Sequence, residues 1–289
     1  MSPIHTATGG NALVIGCGYI GLPLALELKK RFTVSAWVHS AATAVSLAAH
    51  EFPQVIIGDV ADTEAWAAAR GPFDVVIHCA SSGRGGEAAY AQVFREGMAR
   101  INALQPKARR FFVSSTSVYG QSWGEVVTEE SAAEPATETG KILREAEEIA
   151  LGGGATVIRS SGIYGPGRGV LFEKFRRGEA VIEGDGSRWI NQVHKDDLVA
   201  ALVHLVQYDV AGQIYNTSDD TPVMLRDYYA WCAEFLKKPL PPHGPVNTQR
   251  KRGLTNKRVS NAKLRLAGWA PIYPSFREGI AAGEAARNG

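Results

Sequence analysis

Apolar residues fall along the first half of the chain in two alternating rhythms. ALVIG (12–16), FTVSAWV (32–38), VIIG (55–58), DVVIHCA (74–80), RFFVSS (110–115) and TVIRSS (156–161) are short, nearly continuous apolar runs. Such runs mark strands buried on both faces. Between them lie stretches with apolar residues at helical spacing: LPLALELKK (22–30), AATAVSLAAH (41–50) and EAAYAQVFREGMARINAL (87–104). Pro23 sits where the first turn of a helix tolerates it, and Lys29 and Lys30 are expected in the last turn of the same helix. Strands alternating with helices predict an α/β fold, a doubly wound, Rossmann-like parallel sheet with right-handed crossovers.

The rhythm breaks near residue 165. GPGRG (165–169) and EGDGS (183–187) are turn-rich, and a proline cluster, KKPLPPHGP (238–245), leads into the basic stretch QRKRGLTNKR (249–258). We expect a nucleotide-binding domain over 1–165 and a smaller α+β substrate lobe over 166–289, with segments that return to the first. The basic stretch reads as a solvated loop; a phosphate-facing loop is the sharper alternative.

Composition narrows the function classes. The chain has 289 residues, 45% apolar and 21% charged, with a formal net charge of +2. That balance offers no field for nucleic acid or a membrane surface. Three scattered cysteines, Cys17, Cys79 and Cys232, read as free thiols of a reducing compartment, and no CxxC or HxxxH spacing suggests a metal. The first residues lack the features of a signal peptide and no apolar run is long enough for a membrane span. The cytoplasm is the expected location.

Chemistry enters at Gly16-Cys17-Gly18-Tyr19-Ile20-Gly21, a GxGxxG loop after the first strand and at the head of the first helix. The first glycine makes the tight turn, the second lets backbone approach a pyrophosphate, and the third packs helix on strand. The helix N-terminus faces the phosphate charge. A dinucleotide is the expected ligand, held by Gly16, Gly18, Tyr19, Ile20 and Gly21. NAD-binding folds usually carry an acid at the end of strand 2. Here that segment is Trp37-Val38-His39-Ser40, without one. His39 and Ser40 are candidates for a 2′-phosphate, so the cofactor is NADP or NAD, with NADP slightly preferred.

Several motifs then resemble the extended short-chain dehydrogenase/reductase superfamily, of the NAD-dependent epimerase/dehydratase type that acts on nucleoside-diphosphate sugars. Asp59 in IIGDVAD resembles that family's adenine-contacting acid, with Val60 beside it. His78-Cys79-Ala80-Ser81 resembles its HxAA segment beside the cofactor. FVSSTSVYG (112–120) resembles SSxxVYG, and RSSGIYGPGR (159–168) resembles RPxNVYGPG. GDG (184–186), VHKDD (193–197) and IYN (214–216) fall in the family's order. The C-terminal NKRVSNAKLR…LAGWAPIYPSFREGI resembles a small atypical branch. The resemblance implies a site between the two lobes. It implies cofactor contacts from Cys79, Ala80, Ser81, Ser114 and Ile163, with Ser115 polarising the substrate oxygen. Ser117, Tyr119, Tyr164 and Arg188 are its implied substrate contacts, and a homodimer through two helices of the first lobe is its implied assembly.

The departures from that family bear on activity. Its catalytic YxxxK pair has no counterpart: none of the nine tyrosines has lysine four residues on. In PATETGKILRE (135–145), Lys141 fits the lysine position, with Glu145 at the family's spacing, and Thr137 falls where the tyrosine belongs. A phenol titrates near 10, an aliphatic hydroxyl far higher, and a neighbouring charge moves a pKa by only a few units. Thr137 alternatively caps the helix that begins there. Lys141 is expected at the cofactor ribose, with a solvated helix lysine as the plain alternative. Ser160 replaces the family's proline after Arg159, and Ile190 falls where an arginine holds the diphosphate, with Arg188 two residues away. His194 is expected to be structural, and Asp197 to cap a helix or brace the lobes. The chain therefore reads as an NAD(P)-binding oxidoreductase or epimerase acting on a sugar-like or other carbonyl/hydroxyl small molecule. The alternative is a catalytically inactive NAD(P)-binding sensor or interaction protein.

Overall fold

The structure is a computed structural model that describes residues 9–83, 85–208, 210–247 and 255–288. Residues 249–254 of the basic stretch, read as a solvated or phosphate-facing loop, lie outside the described residues.

The central elements run in chain order as β1 (Gly10–Ile15), α1 (Gly21–Leu28), β2 (Phe32–Val38), α2 (Ala41–Leu47), β3 (Val55–Ile57), α3 (Thr63–Ala67) and β4 (Val75–His78). Then come α4 (87–104, wound as a π-helix over Ala91–Glu96), β5 (Arg109–Ser115), α5 (Glu138–Gly152), β6 (Thr156–Ser160), α6 (Lys195–Leu205) and β7 (Ile214–Thr217). The seven strands form one sheet in the order β7-β6-β5-β4-β1-β2-β3, parallel and Rossmann-like. Successive residues of a strand point to opposite faces. Every residue of β4 and of β6 is buried, so both faces of the sheet are covered. Six of the strands are those the apolar runs predict. β7 completes the sheet: Ile214-Tyr215-Asn216 had read only as a family motif.

The chain divides into two compact units. Unit 1 is Met1–Val118, Ala133–Arg159 and Val199–Tyr215; unit 2 is Tyr119–Ala132, Ser160–Leu198 and Asn216–Gly289. α6 from Val199 and the start of β7 thus fall in unit 1, and the segment 119–132 falls in unit 2. Unit 2 is stitched by short strand pairs between distant segments: 125–127 with 257–259, 162–164 with 192–194, 182–183 with 243–244, and 189–190 with 223–224. Its core gathers Phe172, Ile182, Tyr228, Tyr229, Cys232 and Phe276. No described helix is long and apolar enough to cross a membrane.

α1 stops at Leu28, earlier than expected, so Lys29 and Lys30 lie beyond its last turn. Lys29 donates to the carbonyl of His50, and Lys30 pairs with Glu27. α5 buries Gly140, Leu143, Ala146, Glu147 and Ala150 on one face. It ends at Gly152, and Gly154 takes a φ of 81°, a left-handed conformation suited to glycine.

Candidate functional site

Parallel strands bring their carboxyl ends to one edge, where open α/β sheets bind ligands. In register, Ile15 lies beside both Trp37 and His78, Val38 beside Ile57, and His78 beside Phe112. The glycine loop, His39-Ser40, Asp59, Cys79-Ala80-Ser81 and Ser115 therefore all follow strand ends at one edge of unit 1. α5 connects two parallel strands and runs back across the sheet, which puts its head, with Thr137 and Lys141, at the same edge.

The three glycines of the loop differ in what requires them. Gly16 has a φ of 92°, and a Cβ there would lie 2.3 Å from the Cα of Ala80. A Cβ on Gly21 would lie 2.2 Å from the carbonyl oxygen of Gly16. Both are demanded by the protein's own packing. A Cβ on Gly18 would meet nothing within 4 Å. Gly18 is exposed, and among the described residues no contact explains a glycine there. α1 begins without a side-chain cap. Uncapped N–H groups behind an open glycine suit a pyrophosphate. The residues present fit a dinucleotide.

The cysteines of this region are packing groups. Cys17 donates to the carbonyl of Val14 and Cys79 to that of Ile15, each at 3.4 Å. Burial pushes the Cys17 thiol up to about 12 and raises Cys79 as well, so neither is a thiolate near neutral pH. His78, at the end of β4, donates from Nε2 to the carbonyl of Val93 at 2.9 Å, and burial lowers its pKa to about 4, which keeps it neutral. Ala80 backs Gly16, and Ser81 is exposed and accepts the Gly83 N–H. Asp59 is half-buried and accepts the Ala61 N–H at 2.8 Å. Val60 is buried, and its carbonyl takes the indole N–H of Trp66. Tyr19 is half-buried and Ile20 is buried.

Two expected cofactor groups are committed elsewhere. Ser40 caps α2 by accepting the Thr43 N–H at 3.3 Å, which leaves exposed His39 alone of the pair proposed for a 2′-phosphate. Ser114 is buried and donates to Glu147 at 2.6 Å. Glu147 is the centre of a buried ion pair that the sequence reading missed. The Arg159 guanidinium donates through Nε at 3.0 and 3.2 Å to its two carboxylate oxygens and through Nη2 at 2.6 Å. This group ties α5 to β5 and β6. Glu145, the glutamate at the family's spacing, is instead exposed and pairs with Arg95 of α4. Glu147 belongs to the buried face of α5, two residues on, and that face is the signal that could have found it.

Ser115 ends β5, half-buried, and accepts the Ser117 N–H at 3.1 Å; Ser117 is exposed. Thr137 is the N-cap of α5, its hydroxyl accepting the Gly140 N–H at 3.2 Å from an extended backbone. Lys141 is exposed and pairs with Glu138 at 2.6 Å, which raises its ammonium pKa.

Both tyrosines expected at the substrate are buried, within unit 2. Tyr119 is fully buried and donates to Asn216 at 2.9 Å. Tyr164 is buried, donates to the carbonyl of Ser275 at 3.3 Å, and lies where a Cβ on Gly279 would strike it. Burial, with Asp219, Asp197 and Glu278 nearby, holds its phenol far above the usual range. Ile163 is half-buried in the strand pair with Val193. Arg188 is half-buried, and Tyr229 feels its charge together with that of Glu183. His194 is buried and stacks edge-on with Tyr164 and Tyr273, and burial lowers its pKa. Asp197 sits in the first turn of α6 and accepts the N–H groups of Ile272 and Tyr273.

The glycine loop, the carboxyl-edge residues and the seven-stranded parallel sheet define a dinucleotide-binding protein of the extended short-chain dehydrogenase/reductase type. The chain belongs to the NAD dependent epimerase/dehydratase family, whose pattern matches residues 12–218. It is 30% identical over 235 residues to Protein YeeZ of Escherichia coli K12, covering 77% of this chain and 82% of that one. It is 28% identical over 304 residues to the 3-diazoavenalumate denitrifying reductase of a Streptomyces species, covering 93% and 98%. The dTDP-glucose 4,6-dehydratase of Bacillus anthracis, solved in complex with NAD, shares the fold, with a TM-score of 0.79 at 18% identity over 95% of each chain.

Proposed function

We propose that this protein is an NAD-dependent oxidoreductase or epimerase that acts on a carbonyl or hydroxyl group of a small molecule, sugar-like or otherwise. The difference between the glycines carries the reading: Gly16 and Gly21 are fixed by packing, Gly18 only by what approaches it. The family's NAD dependence supports the cofactor. NAD is preferred over NADP, because Ser40 is spent on the α2 cap and no arginine adjoins His39 in the sequence.

When bound, NAD accepts or returns a hydride. The chain's own residues hold and orient. The glycine loop and the start of α1 hold the pyrophosphate, and Asp59 the adenine end. Ser115 orients the substrate oxygen. Lys141 contacts the cofactor ribose; its exposed pair with Glu138 is worth little and is easily exchanged. Thr137 holds the helix and moves no proton: its hydroxyl is too weak an acid and is engaged with Gly140. Water is then the proton carrier. The missing aromatic acid also favours a second reading, a nucleotide-binding sensor without turnover. A titration with NADH and NADPH, joined to a turnover screen of sugars, aldehydes and ketones, separates the readings. Tight NADH binding with turnover supports the enzyme. Tight binding without turnover across the screen supports the sensor, and tenfold tighter NADPH binding overturns the NAD preference.

A further inference from the structure

Unit 2 buries a lysine that no described acid pairs with. Lys257 is 6% exposed, in the strand 257–259. Its ammonium donates to the carbonyl of Tyr119 at 3.0 Å and to the hydroxyl of Thr255 at 2.6 Å. Both partners are neutral, and an ammonium has a third N–H to give. Among the described residues no carboxylate pairs with it, and the preceding stretch 248–254 contains no Asp or Glu. Burial alone lowers its pKa, to about 8, so at neutral pH it remains mostly a cation.

A buried charge with no opposite charge is costly to a fold. This one is nonetheless held firmly. The side-chain amide of Asn191 donates to the Lys257 carbonyl at 2.8 Å and accepts the Val259 N–H at 2.7 Å, while Asn256 accepts the Trp189 N–H at 2.9 Å. Trp189, Asn191, Thr255 and Asn256 are all half-buried, so Lys257 lies just beneath the surface. An oxyanion reaching the third N–H would neutralise the charge.

We propose that Lys257 anchors an oxyanion, a carboxylate or phosphate group carried by the small molecule that unit 2 binds. That this anion belongs to the substrate rests on the enzymatic reading above; the anion site itself does not. The wild-type protein, labelled with 13C at the lysine Cε, is titrated with pH alone, with inorganic phosphate and with acetate. Lys257 should have the lowest lysine midpoint, and at least one anion should raise it by about one pH unit, equivalent to about tenfold stronger binding of the anion to the protonated form. A shift with phosphate only names a phosphate ligand, and a shift with acetate only names a carboxylate. Lys257→Met should abolish the binding, and Lys257→Arg should retain it without pH dependence between pH 7 and 9. A midpoint that neither anion moves overturns the proposal, whether or not Lys257→Met folds. NADH titration of the same sample tests the cofactor reading separately.

Discussion

The buried Glu147–Arg159 pair sets the register of α5 on the sheet, and Glu147→Gln tests how much rests on it. Glu147 is 0% and Arg159 1% exposed. Glutamine keeps the size and one acceptor but removes the charge. It leaves Arg159 as a buried cation and gives Ser114 a weaker partner. Breaking such a pair from one side costs about 3–5 kcal/mol, against a typical total of about 5–15 kcal/mol. Urea unfolding followed by far-ultraviolet circular dichroism should show that loss as a lower midpoint. The double variant Glu147→Leu/Arg159→Met supplies the control. Well-packed apolar replacement of a buried pair is often neutral or stabilising, so the double variant should regain most of the loss. A cost below about 1 kcal/mol for Glu147→Gln, or a double variant as unstable as the single, would refute the reasoning.

Thr137→Ala should destabilise by about 0.5–2 kcal/mol in the same assay, the usual cost of an N-cap, and should leave any turnover intact. Lys141→Ala should weaken NADH binding severalfold with melting unchanged; equal affinity removes Lys141 from the cofactor site. Tyr119→Phe and Tyr164→Phe should each lose about 0.5–1.5 kcal/mol from a hydrogen bond and keep activity, and loss of activity without loss of stability would point to that tyrosine as the proton donor. Asp219 is raised to about 8 by burial, with Asp220, Asp197 and Glu278 adding to the effect. Its folded pKa lies above the unfolded value near 4, so its contribution is full below that value and is lost as pH rises through about 8. Between those limits stability should fall by about 1.4 kcal/mol per pH unit from this group, and Asp219→Asn should flatten the slope.

The first unit is legible in sequence because each cue there is local. Six apolar runs give six strands, and the glycines declare a loop that needs a left-handed residue at Gly16 and no side chain at Gly21. Thr137 three residues before Gly140 is a cap readable by spacing. β7 escaped notice because IYNT is short and half polar. The second unit resists for a different reason. Strands of two or three residues, such as 125–127 and 257–259, pair across more than a hundred residues and carry no periodicity of their own. In the site, family spacing drew attention to Glu145, but the helical face selects Glu147. Tyr119 and Tyr164 stand beside glycines at strand ends, and only burial reveals that both are core. Lys257 hid inside a basic stretch that reads as solvent-facing.

NADH titration of the wild type and of Gly18→Ala, by nicotinamide fluorescence, addresses the central claim most directly. Gly16 and Gly21 have backbone atoms where a Cβ would go, whereas Gly18 faces open space and keeps an ordinary φ. The variant should therefore melt with the wild type and bind NADH at least about tenfold more weakly, a difference of about 1.4 kcal/mol. A wild type that does not bind NADH, or a Gly18→Ala protein that binds it equally well, contradicts the account.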